Sequence, residues 1–121
     1  MSCFFRVADR DVWNPSNSIA RLFIAEAEGI ASLLSESTGI GPVVDDECEL
    51  NATSFAAFAT ALLRRHWSTN HPIMRSLLEG VAGIVFVLAS RSEIDLQIDD
   101  PDCRDYWLEQ SSRFSRVMVR G

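Results

Sequence analysis

The chain has 121 residues, 47% of them hydrophobic and 23% charged, with 11 basic against 17 acidic side chains and a formal net charge of −6. That length fits one domain of roughly 100–200 residues, and the apolar share excludes wholesale disorder. The negative balance argues against a nucleic-acid binder, which needs a basic stripe to displace counterions, and against docking on an anionic membrane.

Taken in chain order, residues 3–13 read as an extended hairpin. Cys3, Phe5 and Val7 alternate with Phe4 and Arg6, a polar Asp9-Arg10-Asp11 turn follows, and Val12-Trp13 returns. Asn14-Pro15 then reads as a helix start, with Asn14 capping and Pro15 in the first turn. The first helix spans 14–35. At 100° per residue Ile19, Leu22, Phe23, Ile30, Leu33 and Leu34 form its expected core stripe, and Glu26 falls near the middle of it. Residues 43–50 read either as a short edge strand guarded by Asp45, Glu47 and Glu49 or as a bare loop. The second helix spans 53–67, with Phe55, Phe58, Ala59, Leu62 and Leu63 inward and His66 at the C-terminal end of the same stripe.

Thr69-Asn70-His71-Pro72 breaks the chain and opens a third helix over 72–91. That helix has little polar surface after Glu79, the pattern of a central, buried one. Ser76, Gly80 and Gly83 give it a small-residue edge where another backbone can approach. Its most apolar stretch, Gly80 to Ala89, falls short of the roughly 18 residues of a membrane span. Ile94, Leu96 and Ile98 alternate as a strand would. Asp100-Pro101 starts a fourth helix over 101–119, with Cys103, Tyr106, Trp107, Gln110, Phe114, Val117 and Met118 on one face. The expected fold is mainly α with an α+β margin: about four helices around one core, a small N-terminal β-hairpin, and a single domain over 1–121.

Polar residues inside apolar stripes are the candidate functional groups. An ionised carboxylate in apolar surroundings must pair, protonate or reach water, so an inward Glu26 beside His66 suits proton transfer. The plainer readings place Glu26 at the solvent margin, His66 as a half-buried cation at a helix C-terminus, and Gln110 as a packing residue. A second cluster is Asn70, His71, Arg75 and Glu79. His71, Arg75 and Glu79 share a helix face at spacing i, i+4, i+8, where Glu79 would orient Arg75 toward an anionic group. Surface decoration is the plainer reading there too.

No metal site is expected. The acidic run Asp45-Asp46-Glu47 with Glu49 lacks the calcium-loop spacing, and the three cysteines form no C-x-x-C pair. No cofactor is expected either, since no phosphate-binding loop, dinucleotide fingerprint or hydrolase elbow occurs. Asn51-Ala52-Thr53 fits a helix start better than a glycosylation sequon. Reduced thiols, the absence of a signal-peptide pattern and an all-Arg set of basic residues fit a bacterial, cytoplasmic protein.

The phrases Val12-Trp13-Asn14-Pro15-Ser16-Asn17-Ser18, Gly39-Ile40-Gly41-Pro42 through Asp46-Glu47-Cys48-Glu49, and Asn70-His71-Pro72-Ile73-Met74-Arg75-Ser76-Leu77-Leu78-Glu79-Gly80 resemble those of a family of small actinomycete proteins of unknown function. The resemblance covers about Phe4 to Leu88. It implies no activity, but it draws attention to Trp13, Arg75 and Glu79.

Two functions follow as expectations. The first is a non-catalytic, acidic accessory or regulatory module, of immunity type for example, that binds a protein partner. Self-association through Trp13, Trp67 and Trp107 belongs to the same reading. The second is a cofactor-independent enzyme or small-molecule carrier, with Glu26 and His66 moving protons in a cavity and Arg75 holding an anionic group.

Overall fold

The computed structural model describes residues 1–120. Two antiparallel strands, β1 (Phe4–Val7) and β2 (Arg10–Trp13), open the chain. Helix α1 (Asn17–Leu34) crosses to a second hairpin of β3 (Ile40–Val44) and β4 (Glu47–Leu50). Three helices complete it: α2 (Ala52–Ser68), α3 (Pro72–Arg91) and α4 (Pro101–Ser115). The strands form one sheet in the order β2-β1-β4-β3, with β1 and β4 parallel at its centre. Four helices with a small sheet agree with the mainly α expectation.

The second hairpin was not legible as such. Residues 43–50 are neither a lone edge strand nor a loop, because β4 is a central strand. Asp45 and Asp46 both take positive φ, 52° and 61°, and form the two-residue turn. Such turns need left-handed residues at both positions, and Asp tolerates that better than most. The acidic run is therefore a hairpin tip followed by the solvent face of β4, where Cys48 and Leu50 point inward and Glu47 and Glu49 outward. Arg6 on β1 reaches Asp11 on one side and Glu47 on the other, both at 2.9 Å.

Helix starts shift where capping chemistry decides. The first helix does not start at Asn14-Pro15. Those residues extend the strand, with Cys3 N–H donating to the Pro15 carbonyl, and Ser16 is the cap, its hydroxyl accepting from Ile19 N–H. Asn51 caps α2 through Ser54 N–H, and Asp100 caps α4 through Asp102 and Cys103 N–H. The fourth helix ends at Ser115, not 119. The alternating Ile94, Leu96 and Ile98 form no strand, and instead pack half-buried against the core.

The largest correction concerns α1. Its buried residues are Ala20, Phe23, Ala27 and Ala31. Ile19, Leu22, Glu26 and Leu33 are exposed. The inward face is thus rotated by about a quarter of a turn from the stripe that side-chain size suggests. Small alanines let the helix axis come close to its neighbours, and Phe23 fills the remaining space against Phe5 and Trp13, with ring centroids 5.8 and 5.5 Å away.

Helix α3 is central, in contact with α1, α2, α4 and β2. With a mean hydropathy of 1.7 over 18 residues it is long and apolar enough to cross a membrane, contrary to the expectation from Gly80 to Ala89 alone. Burial of Leu78 and of most residues from Val81 to Ala89 inside the fold accounts for that composition. Its small-residue edge does not act as one surface. Gly83 faces the Phe114 ring, whereas a Cβ at Gly80 would meet nothing within 4 Å. At the opposite extreme is Gly39, at φ 74°, where a Cβ would lie 2.4 Å from the Phe55 backbone nitrogen.

These two glycines give opposite expectations in urea denaturation. Gly39→Ala combines left-handed strain with a backbone clash and should destabilise by at least about 2 kcal/mol. Gly80→Ala, on an open helical surface, should stabilise by about 1 kcal/mol.

Candidate functional site

The helices bring together a trio that spacing along the chain did not pair. His66, in the last turn of α2, is fully buried. Its Nε2 meets Glu79 Oε1 of α3. The other carboxylate oxygen, Oε2, accepts from the Tyr106 hydroxyl of α4 at 2.5 Å. With the shared proton on Nε2, His66 Nδ1 remains a buried atom without a partner among the described residues. The His66 ring is held between Tyr106, at 6.0 Å, and Trp107, at 4.9 Å. Tyr106 also lies 5.8 Å from Trp67, whose Nε1–H donates to Asp100 Oδ2 at 3.0 Å. That bond, with the cap contacts to α4, holds the Asp100 carboxyl below its usual range.

Burial pushes the Tyr106 phenol up to about 12, assisted by its hydrogen bond to Glu79 and by that carboxylate's charge, while Arg75 and Arg113 pull the other way. Glu79 itself is partly exposed and borders an open cleft with Gln110, Arg113, Phe114 and Val117. The site is a carboxylate with two charge-assisted hydrogen bonds that join three helices. Its signal in the sequence was Glu79 itself, the last charge before the apolar run of α3.

The remaining candidates scatter. Glu26 is exposed on α1 and does not meet His66, so the proposed proton-transfer pair is not assembled. Among the described residues, neither Glu26 nor His66 lines any of the more prominent clefts. His71 caps α3, its Nδ1 accepting from Ile73 N–H at 3.2 Å. Asn70 is exposed in the α2–α3 link. Arg75 lies near Tyr106 but forms no ion pair with Glu79 among the described residues. Trp13 and Trp107 are buried in the chain's own core, so they offer no aromatic patch to a second copy. Gln110 accepts from Arg113 at 3.2 Å. Among the described residues, no group of three His, Cys, Asp or Glu side chains is placed to hold a metal.

The most exposed large apolar side chains of α1 are on one stripe. Ile19, Leu22 and Leu33 are 52%, 62% and 49% exposed, and all three lie within about 60° of Glu26 around the helix. A family profile matches residues 1–120. The chain belongs to DUF6086, a family of unknown function. The match runs through α4, past Leu88, where the resemblance seen in the sequence stops. No curated protein and no solved structure matches the chain.

The single tyrosine makes the trio directly measurable. Phenolate absorbance should titrate near 12 in the folded protein, against about 10 for unfolded tyrosine. Because the folded value is the higher, folding stability should be intact below pH 10 and fall between about pH 10 and 12. A folded-state midpoint at 10 would show the hydroxyl free of Glu79. In urea, Tyr106→Phe should cost about 1.5–3 kcal/mol, as loss of a hydrogen bond to a charged group.

Proposed function

We propose that this protein is a non-catalytic binding module, and that the outer stripe of α1 is its docking face. The observation that carries this reading is the exposure of Ile19, Leu22 and Leu33 on one side of a helix whose inward side is already packed. Apolar side chains aligned on an exposed helix face, rather than scattered, mark an interaction surface. The enzyme reading rested on an inward Glu26 beside His66, an arrangement the chain does not adopt.

Charge selects the occupant. Glu26 stands midway between Ile19 and Leu33. In a two-fold antiparallel pairing of two α1 helices it would face the partner copy's Glu26, and like charges across an interface repel. A partner that places an arginine or lysine opposite Glu26, on an otherwise apolar helix, meets both requirements. The net charge of −6 would steer such a basic partner toward this protein. Three buried free thiols fit a reducing compartment, which supports the cytoplasmic location proposed for this protein.

A synthetic amphipathic peptide with a leucine face and a central arginine is the direct probe. It should bind the wild type, bind at least tenfold more weakly to Leu22→Asp, and lose affinity in high salt. A charge-reversed peptide, with glutamate at the centre, should prefer Glu26→Arg. Equal binding of the arginine peptide to wild type and Leu22→Asp would overturn the assignment of the face. So would a dimer at neutral pH that Leu22→Asp dissolves, since that would make a second copy the occupant. Because Glu26 is exposed, Glu26→Gln should shift stability by no more than about 0.5 kcal/mol.

A further inference from the structure

A second site lies where the ends of α3 and α4 meet. Arg91 is in the last turn of α3. Its Nη1 donates to the Val12 carbonyl at 2.8 Å, and its Nη2 donates to the Ser115 carbonyl and hydroxyl at 3.2 and 3.0 Å. These bonds fix the guanidinium in place at the wall of an open cleft of about 280 Å³. Arg120 lines the same cleft, as do Ser90, Ser111, Ser112 and Ser115. Among the described residues no carboxylate lines it, and neither arginine is within 4 Å of one. Burial and the neighbouring Arg120 both act against the charged form of Arg91.

Cations at helix C-termini are ordinary, since they complement the dipole and cap carbonyls, and Arg91 does this for Ser115. That role accounts for one arginine. It does not account for a second one brought to the same cleft, where no described side chain supplies a counter-charge, in a protein that carries 17 acidic residues. The hydroxyls suit an anion as well. Ser111 and Ser112 line the cleft and donate to the Leu108 and Glu109 carbonyls of their own helix, bonds that an anion in the cleft would replace. Among the described residues the Ser90 hydroxyl has no bond.

We propose that the cleft between Arg91 and Arg120 binds a phosphoryl dianion, free or as a monoester, with the Ser90, Ser111 and Ser112 hydroxyls as further donors. Two guanidinium groups match the charge of a dianion, and the forked N–H groups of Arg120, the Arg91 N–H groups not already bonded and the hydroxyls supply the donors. The cleft is open, so the rest of an ester would extend outward. This site is independent of the α1 face, and either can fail without the other.

Calorimetry of the full chain at pH 7.5 in low salt tests this, with inorganic phosphate, phenyl phosphate and sodium sulfate as separate titrants. Inorganic phosphate should bind saturably, one per chain. Phenyl phosphate binding as well or better would make a monoester the source, and phosphate alone binding would make it the free ion. Arg120→Ala should weaken either by at least tenfold, and Arg120→Lys by less. Ser112→Glu, which puts a carboxylate into the cleft, should abolish binding in a chain that keeps Arg120. Arg21→Ala, on α1, should change nothing. Equal binding of sulfate and phosphate, unchanged affinity in Arg120→Ala, or no saturable binding up to about 20 mM would each overturn the assignment.

Discussion

The carboxylate of Glu79 is the one polar constraint on which the helical half of this protein turns. Its two oxygens are shared between His66 of α2 and Tyr106 of α4, so a single side chain on α3 sets how both neighbours sit against the central helix. The arrangement is costly to break because a buried imidazole N–H and a phenol would lose their acceptor together. It is also specific. A core of leucine, valine and phenylalanine tolerates small rotations of one helix against another, whereas a carboxylate with two fixed donors does not. The Trp67–Asp100 bond, made by the residue next to His66, repeats the logic and ties the end of α2 to the cap of α4.

With α2, α3 and α4 held to one another, α1 packs separately, against the sheet through Phe5, Trp13 and Phe23 and against α2 and α3 through alanines. An alanine-lined contact leaves the larger apolar residues of α1 with nowhere to go but outward. The exposed Ile19, Leu22 and Leu33 follow from that choice. Burying alanines while exposing leucine forfeits hydrophobic stabilisation, roughly 1.5–3 kcal/mol for each large side chain left in water. A fold that accepts such a loss on one helix face is consistent with a face used for binding.

The two proposed sites use opposite chemistry at separate places. On α1 an acid sits within an apolar stripe and seeks a basic, apolar partner. Where the ends of α3 and α4 meet, two arginines line one cleft with no acid among the described residues, and they seek an anion. Net charge alone describes the first environment and hides the second, because an acidic average does not exclude a locally basic cleft.

What the amino-acid sequence determined by itself was local. Helix periodicity identified four helices, proline and capping residues placed the starts of α2, α3 and α4 within a residue or two, and the lack of polar residues after Glu79 marked α3 as central. Those signals depend only on neighbours a few residues apart. Which face of α1 turned inward was decided by tertiary packing, because Ala20, Ala27 and Ala31 are weakly hydrophobic as residues and favourable only as a close-contact surface. The partner of Glu79 was decided there too. Sequence spacing offered Arg75, four residues away on the same helix, while the fold supplied His66 and Tyr106 from two others. Parallel pairing of β1 with β4 joins residues about forty positions apart, and no short-range pattern encodes it. The convergence of Arg91 and Arg120 was likewise invisible, since only the packing of the segment after α4 near the end of α3 creates it.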